Sequence, residues 1–153
     1  MSRECFWIPW NKKFHEEARL IGVLVVTHGS IGEALLTSAS QILGVAPQQA
    51  ATLSVWRQDD PDDLVLRARE LLDGLDAGDG VLVLTDIFGA TPGNVVSRLL
   101  QDGKVEGVSG VSLPMLLRVL TSRDGTLAAV VERARSGGAE GVVHMNSDRC
   151  CDA

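Results

Sequence analysis

The sequence predicts an α/β fold of the doubly wound type, built on a mostly parallel sheet. Three observations carry this. Short apolar runs rich in β-branched residues alternate with stretches of helical spacing. The runs at residues 21–27 and 81–85 are apolar at successive positions rather than alternate ones, as expected of strands covered on both faces. Glycine-bearing turns, Gly78-Asp79-Gly80 and Gln101-Asp102-Gly103-Lys104, separate the helical stretches from the strands that follow. Right-handed crossovers and a strand order of 2-1-3-4 complete the expected topology.

The 153 residues suit one domain with a real core. Apolar content of 45% with 22% charged residues is that of an ordinary globular protein. A formal net charge of −6 argues against broad binding to nucleic-acid backbones. No apolar run approaches the ~18 residues that would cross a bilayer, so direct membrane insertion is not expected. Cys5, Cys150 and Cys151 lie at the two ends in no metal-ligand spacing, and free thiols in a reducing cytosol are expected. Neither a metal nor a cofactor is expected.

Taken in order, residues 1–19 show neither strand alternation nor firm helical spacing and read as a mobile extension. The domain proper is placed at residues 20–145 and a frayed tail at 146–153. The first strand is expected at residues 21–27. Ser30, with Glu33 three residues on, then reads as the capping box of a helix carrying Ile31, Leu35, Ala39, Ile42 and Leu43. Gly44 and Pro47 stop that helix. Residues 51–56 form the second strand. Asp59-Asp60-Pro61 opens a helix whose stripe is Leu64, Ala68, Leu71, Leu72 and Leu75. Residues 81–85 form the third strand, followed by the polar loop 86–94. Thr91 before Pro92 reads as the cap of a helix with Val95, Val96, Leu99 and Leu100 inward. Residues 105–112 form the fourth strand. A helix from Leu113, apolar nearly all round, is expected to be deeply buried or at a subunit interface. Asp124 reads as the cap of a further helix, and residues 141–145, after Gly137-Gly138, as a short last strand.

In open sheets of this kind, sites form beyond the carboxyl ends of strands where the strand order reverses. His28 follows the first strand and Asp86 the third. These strands are neighbours in the expected order, so residues 58 apart can meet. A histidine that accepts a phosphoryl group must present one unprotonated ring nitrogen while the other holds its proton against a fixed acceptor. Asp86 is the candidate acceptor. Helix N-termini after Gly29-Ser30 and Thr91-Pro92 would supply N–H groups to phosphate oxygens. Thr27, Ser30 and Thr91 add hydroxyls, and Gly29 and Gly89 allow close backbone approach. The plainer reading is that His28 is a surface residue and that Asp86 and Ser30 do ordinary turn and cap chemistry. A serine hydrolase is disfavoured by the lack of a G-x-S-x-G elbow, and His15 and His144 read as structural. A nucleotide site is disfavoured because neither G-x-G-x-x-G nor a P-loop is present.

Three stretches then carry a resemblance: residues 26–29 (Val-Thr-His-Gly), 86–94 (Asp-Ile-Phe-Gly-Ala-Thr-Pro-Gly-Asn) and 110–116 (Gly-Val-Ser-Leu-Pro-Met-Leu). Together they resemble the mannose-type IIA domain of the phosphoenolpyruvate-dependent sugar phosphotransferase system, over residues 21–145. The resemblance implies a cytoplasmic phosphocarrier. Its histidine, matching His28, takes phosphate from HPr on Nε2 and passes it to a IIB component. Asp86 matches the family's aspartate and Thr91 its Ser/Thr before proline. Beside them, Gly29, Ser30, Gly89 and Thr91 are taken as the phosphate-binding residues, with Thr27, Asn94 and Ser112 in support. It also implies a homodimer that exchanges the short C-terminal edge strand at residues 141–145. Two departures stand out: Ser112 replaces the family's usual asparagine, and Gly93 a commonly larger residue. The alternatives of the same resemblance are a regulatory phosphoprotein whose His28 state is read by a partner, and the IIA-like subunit of a dihydroxyacetone kinase.

Overall fold

A computed structural model describes residues 19–147. The expected extension at 1–19 and tail at 146–153, with His15 and all three cysteines, lie almost wholly outside them. The elements follow the expected alternation: β1 (Gly22–His28), α1 (Ile31–Leu43), β2 (Ala50–Val55), α2 (Pro61–Leu75), β3 (Val81–Thr85), α3 (Thr91–Ser97), β4 (Val105–Ser109), α4 (Leu113–Leu120) and α5 (Leu127–Glu140). The sheet has the order β2-β1-β3-β4 with every pairing parallel.

The continuous apolar runs are explained by two cores, one on each face. Leu24 and Val26 of β1 join Val81 and Val83 of β3 under α2 and α3. The intervening Val23 and Val25, with Leu82 and Leu84, lie under α1, α4 and α5. Strand side chains alternate between faces, so a strand covered twice must be apolar at every position. All eight of these side chains are essentially inaccessible. Each is worth about 1.5–3 kcal/mol relative to exposure.

Several local expectations are corrected. The β4 strand ends at Ser109 rather than at 112, because Gly110 and Val111 both donate to the Thr85 carbonyl and fold the chain over the end of β3. Ser30 makes no side-chain cap to α1. Thr27 does that work from within the strand, its buried Oγ1 accepting from the Gly32 N–H at 2.8 Å. Glu33 instead accepts from Ser54 Oγ at 3.1 Å. The α3 N-cap is Ala90, so Thr91 is the first helical residue rather than the cap. Leu100 is exposed beyond the end of α3. The α5 cap is Thr126, whose hydroxyl accepts from the Ala129 N–H. Asp124 pairs with Leu20 in an isolated bridge.

Gly137-Gly138 does not end a helix but lies inside α5. A Cβ on Gly137 would stand 3.1 Å from Arg118 Cβ and 3.2 Å from Met115 Cα, so the glycine lets α5 pack closely on α4. The chain then leaves α5 at Gly141, and residues 141–147 form no strand. A strand needs a neighbour to complete its backbone hydrogen bonds. Among the described residues, none of the four strands pairs with that segment, and Val142, Val143 and Met145 stay exposed.

Candidate functional site

His28 is the last residue of β1, and Asp86 directly follows β3. The chain crosses from β1 to β2 on one side and returns to β3 on the other, so the adjacent carboxyl ends of β1 and β3 form the switch point. There the two side chains meet. Asp86 Oδ2 lies 2.7 Å from His28 Nδ1 and also accepts from the His28 backbone N–H at 2.9 Å. Asp86 Oδ1 accepts from the Ile87 N–H at 2.9 Å and, at a long 3.4 Å, from Thr85 Oγ1. One carboxylate oxygen thus holds both the main chain and the ring of His28.

Burial of the Asp86 carboxyl would raise its pKa. The hydrogen bonds from the His28 backbone, the His28 ring and the Ile87 N–H, together with the histidine's charge, outweigh burial and hold it below its ordinary value. Asp86 is therefore ionised at neutral pH. An ionised carboxylate only accepts, so the hydrogen in the 2.7 Å contact belongs to Nδ1. In the neutral ring this leaves the lone pair on Nε2. The imidazole is 48% exposed while the carboxylate is only 13% exposed, so the ring faces outward and its anchor does not.

The remaining candidates divide. Gly29 adjoins the histidine at φ +48°, and its N–H donates to the Val55 carbonyl at 2.9 Å. Ser30 is exposed, its hydroxyl unused as a cap. Gly89, at φ +82° on the β3–α3 connection, and Thr91, the first residue of α3, are both exposed. Asn94 is exposed on α3, and neither it nor Thr91 bonds to His28 or Asp86. Thr27 is fully buried and its hydroxyl is spent on α1, so it supports the corner rather than a ligand. Ser112 caps α4 by accepting from the Met115 N–H at 3.3 Å. It lines a cleft of about 400 Å³ with Val108, Pro114, Arg135 and Val142, which neither His28 nor Asp86 lines. Gly93 seats α3 on its own loop, since a Cβ there would stand 3.0 Å from the Ile87 carbonyl oxygen.

The sequence reading overlooked Trp56. Its ring lies over Gly29, so that a Cβ on the glycine would be 3.3 Å from Cζ3, yet the residue is half exposed. The available signal was a large aromatic at the start of a hydrophilic turn, one residue past the strand beside β1. Ile31, Ile87 and Phe88 are further exposed apolar residues on the segments that flank the pair, Phe88 at 83%.

Comparison with known proteins decides the family. The EIIA-man family, described as the fructose IIA component of the phosphotransferase system, matches residues 22–134. The chain belongs to the EIIA-man family. This IIA component shares 30% identity over 106 residues with the fructose-specific EIIA component of Bacillus subtilis, covering 69% of this chain and 72% of that one. It shares 32% identity over 124 residues with the mannose-specific EIIAB component of Escherichia coli K12. That match takes in 76% of this chain but only 38% of the relative, so the chain spans little more than a third of the E. coli protein. Among solved structures, the phosphotransferase system component EIIA of Streptococcus agalactiae superposes with a TM-score of 0.75 at 26% identity, over 84% of this chain and 99% of that one. Among the described residues, no helix is long and apolar enough to cross a membrane.

Proposed function

We propose that this IIA component is a histidine phosphocarrier of the cytoplasm, taking a phosphoryl group from phospho-HPr on His28 and handing it to a IIB component. The observation that carries the reading is the 2.7 Å contact between His28 Nδ1 and the ionised Asp86. It leaves Nε2 as the nucleophilic nitrogen on a half-exposed ring.

The Nε2 lone pair attacks phosphorus as the bond from phosphorus to the donor's nitrogen breaks, and the donor keeps that electron pair. His28 retains its proton on Nδ1, so the ring gains positive character, which Asp86 balances at contact distance without becoming protonated. Backbone N–H groups of the turns containing Ser30, Gly89 and Thr91 would receive the phosphoryl oxygens, the Gly29 N–H being held by the Val55 carbonyl. The chemistry then needs only positioning and charge.

Homodimer formation belongs to the same proposal. Among the described residues no strand pairs with the outer edge of β4, where only Val105 bridges to Gln101, and residues 142–145 leave α5 exposed and strandless. Exchange of that segment onto a partner's β4 would satisfy both.

The test is phosphorylation of the chain by phosphoenolpyruvate, enzyme I and HPr. It should gain one acid-labile phosphate, and His28→Gln should gain none. A folded wild-type chain that takes no phosphate, or a variant that still does, rejects the assignment.

A further inference from the structure

We propose that Trp56 is a positioning residue for His28: its indole, packed on Gly29, holds the β1–α1 corner in the conformation that keeps Nδ1 on Asp86 and Nε2 free. This rests on the phosphocarrier reading of His28.

Gly29 is the joint between the strand that carries His28 and the helix that follows, and it stands at φ +48°. Glycine takes positive and negative φ about equally, so the residue does not select its own conformation. Two contacts do. Its N–H is bonded to the Val55 carbonyl at 2.9 Å. Its open face is covered by the Trp56 ring, whose Cζ3 and Cη2 lie 3.3 and 3.4 Å from where a Cβ would be. Trp56 is itself tethered, its backbone N–H donating to Asp59 Oδ2 at 2.8 Å. The end of β2 thereby clamps the corner from both sides. His28 transmits the restraint directly, because its backbone and its ring share one oxygen of Asp86. A corner that shifts moves both bonds together. Half of an indole left in water at such a point has no core to fill, which separates Trp56 from the buried residues of β2.

The experiment reads the His28 ring itself. With ¹⁵N-histidine labelling, and with His28→Gln to assign the signal, the neutral ring of wild-type His28 should appear as the Nδ1–H tautomer. Trp56→Ala should gain an Nε2–H population, while Trp56→Phe should keep the wild-type pattern. Phosphoryl uptake from HPr by Trp56→Ala should slow roughly tenfold at saturating donor, with KM within about twofold. Trp56→Leu, which retains bulk, serves if the alanine variant does not fold and should show the same tautomer shift. An unchanged tautomer in a folded variant overturns the proposal. So does a raised KM with the tautomer intact, which would make Trp56 a docking contact. Failure of the chain to take phosphate would remove the phosphocarrier reading, yet the tautomer measurement would still decide the role of Trp56.

Discussion

Two strand-to-helix corners of this protein have nearly the same parts and use them differently. At β1–α1, Gly29 stands at φ +48° and is followed by Ser30. At β4–α4, Gly110 stands at φ +90° and Ser112 follows two residues later. Ser112 spends its hydroxyl on the Met115 N–H and starts α4. Ser30 caps nothing, because the strand's own Thr27 has taken over the cap through Gly32. One corner closes its polar groups into the fold. The other is capped from behind, and its exposed serine and imidazole stay open toward solvent. The β1–α1 corner is thus free to serve as the proposed site because Thr27 does its structural work.

The comparison can be broken most sharply at Asp86. Asp86→Asn keeps the shape but removes the charge that fixes the ring and that, in the proposed mechanism, would balance it during attack. Phosphoryl uptake by His28 should fall roughly a hundredfold or more, measured as the initial rate of phosphorylation by HPr. A rate within threefold of wild type would remove Asp86 from the chemistry.

Thr27→Val tests whether the cap has moved into the strand. The substitution preserves volume and orphans a buried N–H, so it should cost about 1–2 kcal/mol in denaturant unfolding. It should leave the transfer rate of the folded protein near wild type. A loss below about 0.3 kcal/mol would return the capping role to Ser30.

The two serines sharpen the contrast. Ser112→Ala should cost about 0.5–1 kcal/mol of stability and little transfer. Ser30→Ala should cost less than about 0.5 kcal/mol while slowing transfer about three- to tenfold. Equal stability losses would mean that the two corners are alike after all.

The smallest effect is in pH. Folding lowers the pKa of Asp86, so its ionised form stabilises the protein fully above the unfolded-state value of about 3.9. That contribution is lost as pH falls through the lower folded-state value. Between about pH 5 and pH 2.5, wild type should therefore lose more stability than Asp86→Asn. Parallel losses would show that the His28–Asp86 contact does not hold the carboxyl below its ordinary range.

The fold was legible because its sheet is buried on both faces. Unbroken apolar runs at β1 and β3 can only be central strands, and topology then brings His28 to Asp86 without any knowledge of side chains. Caps were less legible. Ser30, Thr91 and Asp124 are all good cap residues by type, but the cap went to Thr27, Ala90 and Thr126. Local preference cannot see a hydroxyl reaching forward from a strand. Gly137-Gly138 reads as a helix end for the same reason, since only the approach of Met115 and Arg118 shows why it is a contact. Trp56 was hard to read because its neighbour, Gly29, sits at the end of the adjacent strand, far away in sequence. Residues 141–145 have strand composition, but a strand exists only where another backbone pairs with it.

The most direct measurement is the identity of the phosphorylated nitrogen. Phosphoenolpyruvate, enzyme I and HPr would load the ¹⁵N-histidine-labelled chain, and the phosphorus–nitrogen coupling would be read by NMR. The expected result is a single phosphoryl group on Nε2 of His28, with Nδ1 still protonated against Asp86. Phosphate on Nδ1, on another residue, or on no residue of the folded chain would contradict the account.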